Sequence, residues 1–187
     1  MANHSLAELK TLKWEGGYCD VKGDAGGETI FGIARNSHAD SVLWSYVDEF
    51  KSRFNPFTKA NYKALEELCM NSKEFCAEMA RIYKSLYWDK IRGDEIDSQD
   101  VANALYDFAV NSGVKRASQY IQRLVNVEDD GVIGAKTIEA INSKNGSALC
   151  NLLCDERVNF LREIAKKPNN SKFLKGWLDR VSDFYAK

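Results

Sequence analysis

The chain has 187 residues, of which 44% are hydrophobic and 28% are charged, and its formal net charge is −1. These values are typical of one globular domain, or of a domain with a small appendage, and they exclude intrinsic disorder, a collagen-like fibre and a membrane span. The near-zero charge also argues against a nucleic-acid binder, which depends on basic residues for its phosphate contacts.

The cysteine and histidine counts bear on redox and metal chemistry. The chain has five cysteines, no Cys-x-x-Cys pair and two histidines. In a reducing compartment the cysteines would be free thiols, and neither a zinc site nor a Cys–His nucleophile pair is expected. The segment from Met1 to Lys10 lacks the apolar stretch of a secretory signal peptide. We therefore expect synthesis in the cytoplasm, and retention there unless another protein releases the chain.

Helical periodicity covers most of the sequence. Ser5 and Glu8 fit a capping box, which predicts the start of a first helix. Leu6, Leu9 and Leu12 follow on one face of that helix, which should end at Gly16-Gly17. The same spacing, together with capping and breaking residues, predicts later helices at residues 40–54, 58–70, 72–88, 98–113, 115–125, 137–145, 147–166 and 171–185.

Residues 18–33 interrupt this helical pattern. They lack helical periodicity and contain four glycines, which indicates turns and a short β-hairpin, with residues 29–31 as the best strand candidate. The expected fold is therefore mainly α, with a small β-hairpin near residues 18–33. A glycine-rich loop held between helices is also a favourable position for a functional site.

Two carboxyl groups and a threonine in this region suggest a chemistry. Glu15 lies in the last turn of the predicted first helix, where the helix dipole and burial beside Trp14 and Tyr18 favour its protonated form. Asp24 lies in a polar, glycine-rich segment and is expected to stay ionised. One neutral and one charged carboxyl group form the pair that glycoside hydrolysis uses. Thr29 would hydrogen-bond a water molecule that Asp24 holds.

Other interpretations of these residues stay open. Glu28 or Asp20 would serve as the second carboxyl group in place of Asp24, although Asp20 is more typical of a turn. A glutamate before a glycine at a helix end is common, and an aspartate beside a glycine usually belongs to a turn. The catalytic hypothesis therefore depends on the combination of these residues within one short segment.

Three short segments carry a family resemblance. They are Trp14-Glu-Gly-Gly-Tyr18, Asp24-Ala-Gly-Gly-Glu-Thr29 and Phe31-Gly-Ile33. Together they resemble the N-terminal signature of the glycoside hydrolase family 108 lysozymes, which are phage-endolysin and prophage-type N-acetylmuramidases. Tyr87-Trp88 and residues 105–113 are similar to the middle motifs of that family.

The C-terminal part of the chain carries weaker resemblances. Residues 130–137 resemble the Asp-Gly-x-x-Gly-Pro-x-Thr pattern of the predicted peptidoglycan-binding region, with Ala135 at the proline position. A turn followed by a helix cap is the alternative reading of that segment. Gly176-Trp177 with Arg180 resembles the closing motif of the family.

The resemblance implies a lysozyme-like fold and a reaction. Residues 1–113 would form the catalytic region, and residues 114–187 a helical region that resembles a peptidoglycan-binding segment and packs into the same body. The reaction would be hydrolysis of the β-1,4 bond between N-acetylmuramic acid and N-acetylglucosamine in peptidoglycan glycan strands. Glu15 would protonate the leaving oxygen, and Asp24 with Thr29 would hold a water on the opposite face, which gives inversion. No metal or cofactor is required.

Four further residues are candidates for substrate binding. Tyr18, Phe31 and Tyr87 would stack on sugar rings or line the groove, and Asn111 would hydrogen-bond an N-acetyl group. Core packing is the alternative for each aromatic residue. Satisfying backbone groups at its helix end is the alternative for Asn111.

Two other functions fit the same residues. A lytic transglycosylase would use the same acid but no water molecule. A non-catalytic wall-binding or secretion-associated factor would keep the lysozyme-like fold without the activity, and some relatives carry the label "secretion activator". By analogy with the family, we expect a phage or prophage role, with a separate holin-like partner that releases the protein to the cell wall.

Overall fold

The computed structural model describes residues 1–21 and 26–187. The chain is mainly helical, as predicted. Its helices are α1 His4–Leu12, α2 Leu43–Ser52, α3 Tyr62–Asn71, α4 Lys73–Tyr83, α5 Gln99–Ser112, α6 Val114–Leu124, α7 Ala135–Asn142, α8 Gly146–Ala165 and α9 Leu174–Ser182. Within the described ranges, no helix is both long enough and apolar enough to cross a bilayer.

A small antiparallel sheet lies where the hairpin was predicted. Its strands are β1 Tyr18–Cys19, β2 Thr29–Ile30 and β3 Ile33–Ala34, in the order β1-β2-β3. The register pairs Cys19 with Thr29 and Ile30 with Ile33. The β2–β3 connection is therefore a two-residue hairpin loop.

Backbone contacts divide the chain into two units. Unit 1 comprises residues 1–11 and 84–187, and unit 2 comprises residues 12–83. Within unit 1, α5 packs against α6 and α8, so segments from both sides of residue 113 belong to one compact unit. The division into a catalytic region and a peptidoglycan-binding region stays a prediction.

Helix boundaries in unit 1 follow their capping residues. The Ser98 hydroxyl accepts a hydrogen bond from the Val101 N–H at the start of α5, and Asn145 does the same for Ala148 at the start of α8. α5 ends at Gly113, whose φ of +90° is a conformation that glycine adopts readily. These side chains satisfy backbone groups that the helices leave without partners.

The leucine face of α1 is not the face that the structure buries. Leu6 and Leu9 are 54% and 64% exposed, whereas Glu8 and Thr11 are buried. The capping box is also wrong, because Ser5 is already helical and its N–H donates to the Asn3 side chain.

Aromatic packing determines which face of α1 is buried. The His4 ring packs edge-on against Trp88 and Tyr106, with centroid distances of 5.3 and 5.5 Å. Glu8 follows one turn after His4 and therefore lies on the same inner face. Burial raises the pKa of Glu8 to about 7, which favours its neutral form in the folded protein.

A buried carboxylate connects three helices of unit 1. Asp107 on α5 is fully buried. Its Oδ2 accepts from Arg157 Nη1 on α8 at 2.6 Å, and its Oδ1 accepts from Arg180 Nη2 on α9 at 2.7 Å. Arg180 Nε also donates to Asp107 Oδ2 at 3.0 Å, so this pair is bidentate. Burial lowers the pKa of Arg157, and the Asp107 charge acts in the opposite direction.

We expect Asp107→Ala to destabilise the protein by about 3–5 kcal/mol, because it leaves two guanidinium groups buried without their counter-ion. Denaturant unfolding measures the change. Asp179→Ala is the control, since it removes an exposed partner of Lys175 and should cost at most about 1 kcal/mol. Equal unfolding midpoints for the two variants would contradict this role of Asp107.

Candidate functional site

The β2–β3 loop forms the centre of the candidate site in unit 2. Both of its residues are left-handed, with φ of +45° at Phe31 and +76° at Gly32. Positive φ at both positions is the geometry of the type I′ turn, which matches the twist of the flanking strands. The Tyr83 hydroxyl, from the end of α4, donates to the Phe31 carbonyl at 2.7 Å. Tyr83 is buried, so this hydrogen bond connects the loop to the core of unit 2.

Glu15 lies against this loop. α1 ends at Leu12, and the Glu15 N–H donates to the Leu12 carbonyl at 3.3 Å. Glu15 is therefore just beyond the helix, rather than in its last turn as predicted, and it is half-buried. A Cβ placed on Gly32 would lie 3.2 Å from Glu15 Oε2 and 2.5 Å from Tyr83 Oη. The absence of a side chain at Gly32 thus lets the carboxyl group and the phenol approach the same backbone position.

The structure brings several of the predicted site residues together. Glu15, Tyr18, Thr29 and Phe31 belong to unit 2, either on the small sheet or beside it. Thr29 is half-buried on β2 and pairs with Cys19 on β1 and Ala34 on β3. Asp24 lies outside the described residues.

Phe31 and Tyr18 are both packed by other aromatic rings. The Phe31 ring meets Phe75 edge-on at a centroid distance of 6.1 Å and remains half-buried. The Tyr18 ring packs against Tyr62 at 4.7 Å and Phe57 at 5.8 Å. Tyr18 is only 5% exposed, so its present contacts are those of a core residue. A role for either ring in substrate binding stays a prediction.

Glu28, the alternative to Asp24 as the second carboxyl group, has both of its carboxylate oxygens bound by other side chains. Its Oε2 accepts from Lys51 Nζ at 2.8 Å and from the Tyr18 hydroxyl, and its Oε1 pairs with Arg35. Arg35 also pairs with Asp48 on α2. Burial by itself raises the pKa of Glu28, but the hydrogen bonds from Lys51, Tyr18 and Arg35 outweigh it and lower the pKa. Glu28 is thus an ionised structural group that connects the sheet to α2.

Tyr87 and Asn111 belong to unit 1. Tyr87 lies in a single π-helical turn, Lys84–Trp88, that continues α4, and its ring is 6.5 Å from that of Tyr106. Asn111 is exposed near the end of α5, and its Oδ1 accepts from the Ser112 hydroxyl at 3.1 Å. Contacts of these two residues with sugars stay predictions.

The segment that begins at Asp130 forms a turn connected to α6. Gln122 Nε2 donates to Asp130 Oδ1 at 2.8 Å, and Gln122 Oε1 accepts from the Gly131 N–H at 2.9 Å. The Val132 N–H also donates to Asp130 Oδ1, and Gly131 has a φ of +84°. The Asp-Gly pair therefore has a local structural role before the start of α7.

Tyr83 is the site residue that sequence reasoning missed. The periodicity of residues 72–88 placed it only on an inner helix face. A buried tyrosine usually finds a hydrogen-bond partner for its hydroxyl group, and that is the signal available in the sequence. The partner itself, the Phe31 carbonyl, lies 52 positions away along the chain.

The described residues show no metal centre. Within residues 1–21 and 26–187, no group of three or more His, Cys, Asp and Glu side chains is arranged to hold a metal ion. All five cysteines are free thiols, and only Cys19 is exposed.

Comparisons with known proteins add family evidence. The family model described as Glycosyl hydrolase 108 matches residues 9–113, and the model described as Predicted Peptidoglycan domain matches residues 116–182. A solved structure titled "Structure of Brucella abortus SagA" is 32% identical, with a TM-score of 0.65. The match covers 97% of this chain and 90% of that one. No curated protein matches this chain.

We expect Gly32→Ala to destabilise the protein by about 1–3 kcal/mol, since alanine is strained at this φ and its Cβ would collide with Tyr83 Oη. Thermal or denaturant unfolding measures the effect. Gly16→Ala is the matched control, because a Cβ at Gly16 meets nothing within 4 Å. The cost of Gly32→Ala should shrink in a Tyr83→Phe background, and an undiminished cost there would contradict the proposed collision.

We expect Glu28→Gln to lower stability by about 2–3 kcal/mol at pH 7, because it weakens hydrogen bonds to two cations. In the wild type, the ionised Glu28 contributes its full stabilisation at pH values above 4.5, the ordinary pKa of a glutamate. This stabilisation is lost as the pH falls through the lowered pKa of Glu28 in the folded protein. The difference between the two proteins should therefore narrow in acid. Glu49→Gln, at the exposed pair with Arg53, serves as control, and a gap that stays constant down to pH 2 would contradict the assignment.

Proposed function

This chain belongs to the glycosyl hydrolase 108 family, and from that premise we propose that it cleaves peptidoglycan glycan strands as an N-acetylmuramidase. The bond would be the β-1,4 link between N-acetylmuramic acid and N-acetylglucosamine. The predicted peptidoglycan domain matched at residues 116–182 supports the choice of polymer. The observation that carries the proposal is the Glu15 carboxyl group held against the Phe31–Gly32 loop.

Glu15 is the general acid in this proposal. A general acid must keep a proton available for the leaving oxygen. Glu28 is unsuited to that task, because Lys51 and Arg35 hold it ionised. Glu15 is instead half-buried beside a glycine turn, and the Tyr83 hydroxyl secures that turn from within the core. This support lets the carboxyl group keep one position while a sugar strand binds.

Asp24 and Thr29 supply the second half of the reaction. Asp24 acts as the base that activates a water molecule, and the Thr29 hydroxyl holds that water on the face opposite Glu15. The ion pairs of Glu28 support this assignment, because they engage one of the alternative carboxylates. An inverting hydrolase needs its two carboxyl groups about 6.5–9.5 Å apart, whereas a retaining enzyme needs about 5–5.5 Å.

The remaining candidate residues would bind the substrate. Phe31 and Tyr18 belong to unit 2, as Glu15 does, and Tyr87 and Asn111 are the sugar-binding candidates on unit 1. The scheme uses no metal or cofactor. Access to the cell wall through a separate holin-like partner belongs to the same proposal and rests on family analogy.

We expect Glu15→Gln to lower the rate of peptidoglycan digestion by at least about 100-fold, because glutamine cannot donate the proton. Turbidity loss of a purified peptidoglycan suspension measures the rate, and sedimentation with the polymer checks that binding survives. Glu139→Gln, an exposed change on α7, should digest like the wild type.

The products separate the proposed reaction from its alternatives. Hydrolysis gives reducing ends, and inversion gives the α-anomer first, which proton NMR detects during the reaction. Mass spectrometry that finds 1,6-anhydromuramic ends would overturn the hydrolase in favour of a transglycosylase. Unchanged digestion by the Glu15→Gln variant would overturn the assignment of the acid.

A further inference from the structure

Two aromatic side chains lie beside each other at the start of α9. Phe173 ends a short 3-10 turn, Ser171–Phe173, and Trp177 follows one helical turn later. Their ring centroids are 5.9 Å apart and their planes differ by 30°. Phe173 is 49% exposed and Trp177 is half-buried. Both rings therefore leave part of their aromatic surface open to solvent.

Gly176 leaves the space beside these rings open. Residues 173, 176 and 177 share one face, because side chains three and four positions apart are neighbours on a helix. A Cβ at Gly176 would meet nothing within 4 Å, and its φ is not among the positive values of the chain. Neither packing nor backbone conformation requires glycine there, although glycine destabilises a helix interior relative to alanine. Phe173, Gly176 and Trp177 together are called the aromatic ledge.

The aromatic ledge lies in a positively charged segment. Residues 166–177 contain four lysines and no acidic residue. Lys166 and Lys175 pair with Glu163 and Asp179. Lys172 has no ion pair within the described part of the chain, and its Nζ lies 4.9 Å from the centre of the Phe173 ring. The ledge therefore combines partly exposed aromatic surface with a cation that lies over one of its rings.

We propose that the aromatic ledge is a second glycan-binding site, which holds a peptidoglycan strand on unit 1. The C–H faces of pyranose rings stack on aromatic rings, and a row of two rings suits successive sugars of one strand. Lys172 would attract the carboxylates of the attached peptides. The ledge falls within residues 116–182, which match the predicted peptidoglycan domain. The identity of the polymer rests on the proposed function, but the binding site itself does not involve Glu15.

Sedimentation with insoluble peptidoglycan tests the ledge in a Glu15→Gln background, where the polymer stays intact. Phe173→Ala should weaken binding by about three- to tenfold, the range expected for the loss of one aromatic contact. Leu152→Ala is the matched control, because Leu152 on α8 is 51% exposed and lies outside the ledge. Gly176→Gln should keep the helix stable and weaken binding as well, since its side chain would cover the open space.

Two results would contradict the proposal that the aromatic ledge binds a glycan strand. The first is equal sedimentation of the Phe173→Ala and Leu152→Ala variants. The second is a loss of binding on Lys172→Gln with none on Phe173→Ala, which would show attraction to charge without stacking.

NMR of the tryptophan indole N–H signals separates this proposal from the catalytic one. The Trp177 signal is identified by its disappearance in Trp177→Phe, and the Trp14 signal, from the residue before Glu15, is identified in the same way. Titration with a soluble N-acetylglucosamine oligomer, which carries no carboxylates, should shift the Trp177 signal. If the Trp177 signal does not shift, glycan binding at the aromatic ledge is contradicted, even if the Trp14 signal shifts. Failure of the catalytic proposal appears elsewhere, as digestion by the Glu15→Gln variant.

Discussion

Burial of the Asp107 carboxylate with two guanidinium groups constrains the whole arrangement of unit 1. Removing three charges from water is costly, and the cost is offset only while all the hydrogen bonds are made. α5, α8 and α9 must therefore keep the positions that let Arg157 and Arg180 reach Asp107. Because Arg180 lies one turn after Trp177, the same anchor orients the aromatic ledge at the start of α9.

In unit 2, two glutamates of identical chemistry have different roles because of their surroundings. Glu28 lies among a lysine, an arginine and a phenol, which hold it ionised and connect the sheet to α2. Glu15 lies beside a turn whose backbone carbonyl is secured by Tyr83. Without a Cβ at Gly32, the carboxyl group lies close to the backbone. The different roles of Glu28 and Glu15 thus come from the cations around Glu28 and from the missing side chain at Gly32, beside Glu15.

Local signals predicted much of the fold. Ser98 and Gly113 mark the two ends of α5 as predicted, because caps act on neighbouring backbone groups. Asn145, which was expected to end the preceding helix, instead caps the start of α8. The leucine spacing did not reveal which face of α1 is buried, since leucines at steps of three do not outweigh the packing of His4 on distant aromatic rings. Glu15 lies beside the β2–β3 loop and Thr29 lies on β2, and their catalytic roles stay predictions. The partners of Glu28 lie up to 23 positions away, and such pairings depend on the tertiary fold.

The contribution of α1 to unit 1 has a consequence for the order of folding during synthesis. His4 leaves the ribosome early, but its ring partners Trp88 and Tyr106 are added more than 80 residues later. A nine-residue helix is only marginally stable in water on its own. Residues 12–83, by contrast, are all present before Trp88 is added. Unit 2 is therefore the part of the chain that can begin to fold cotranslationally, and unit 1 is completed only when its first segment meets the last.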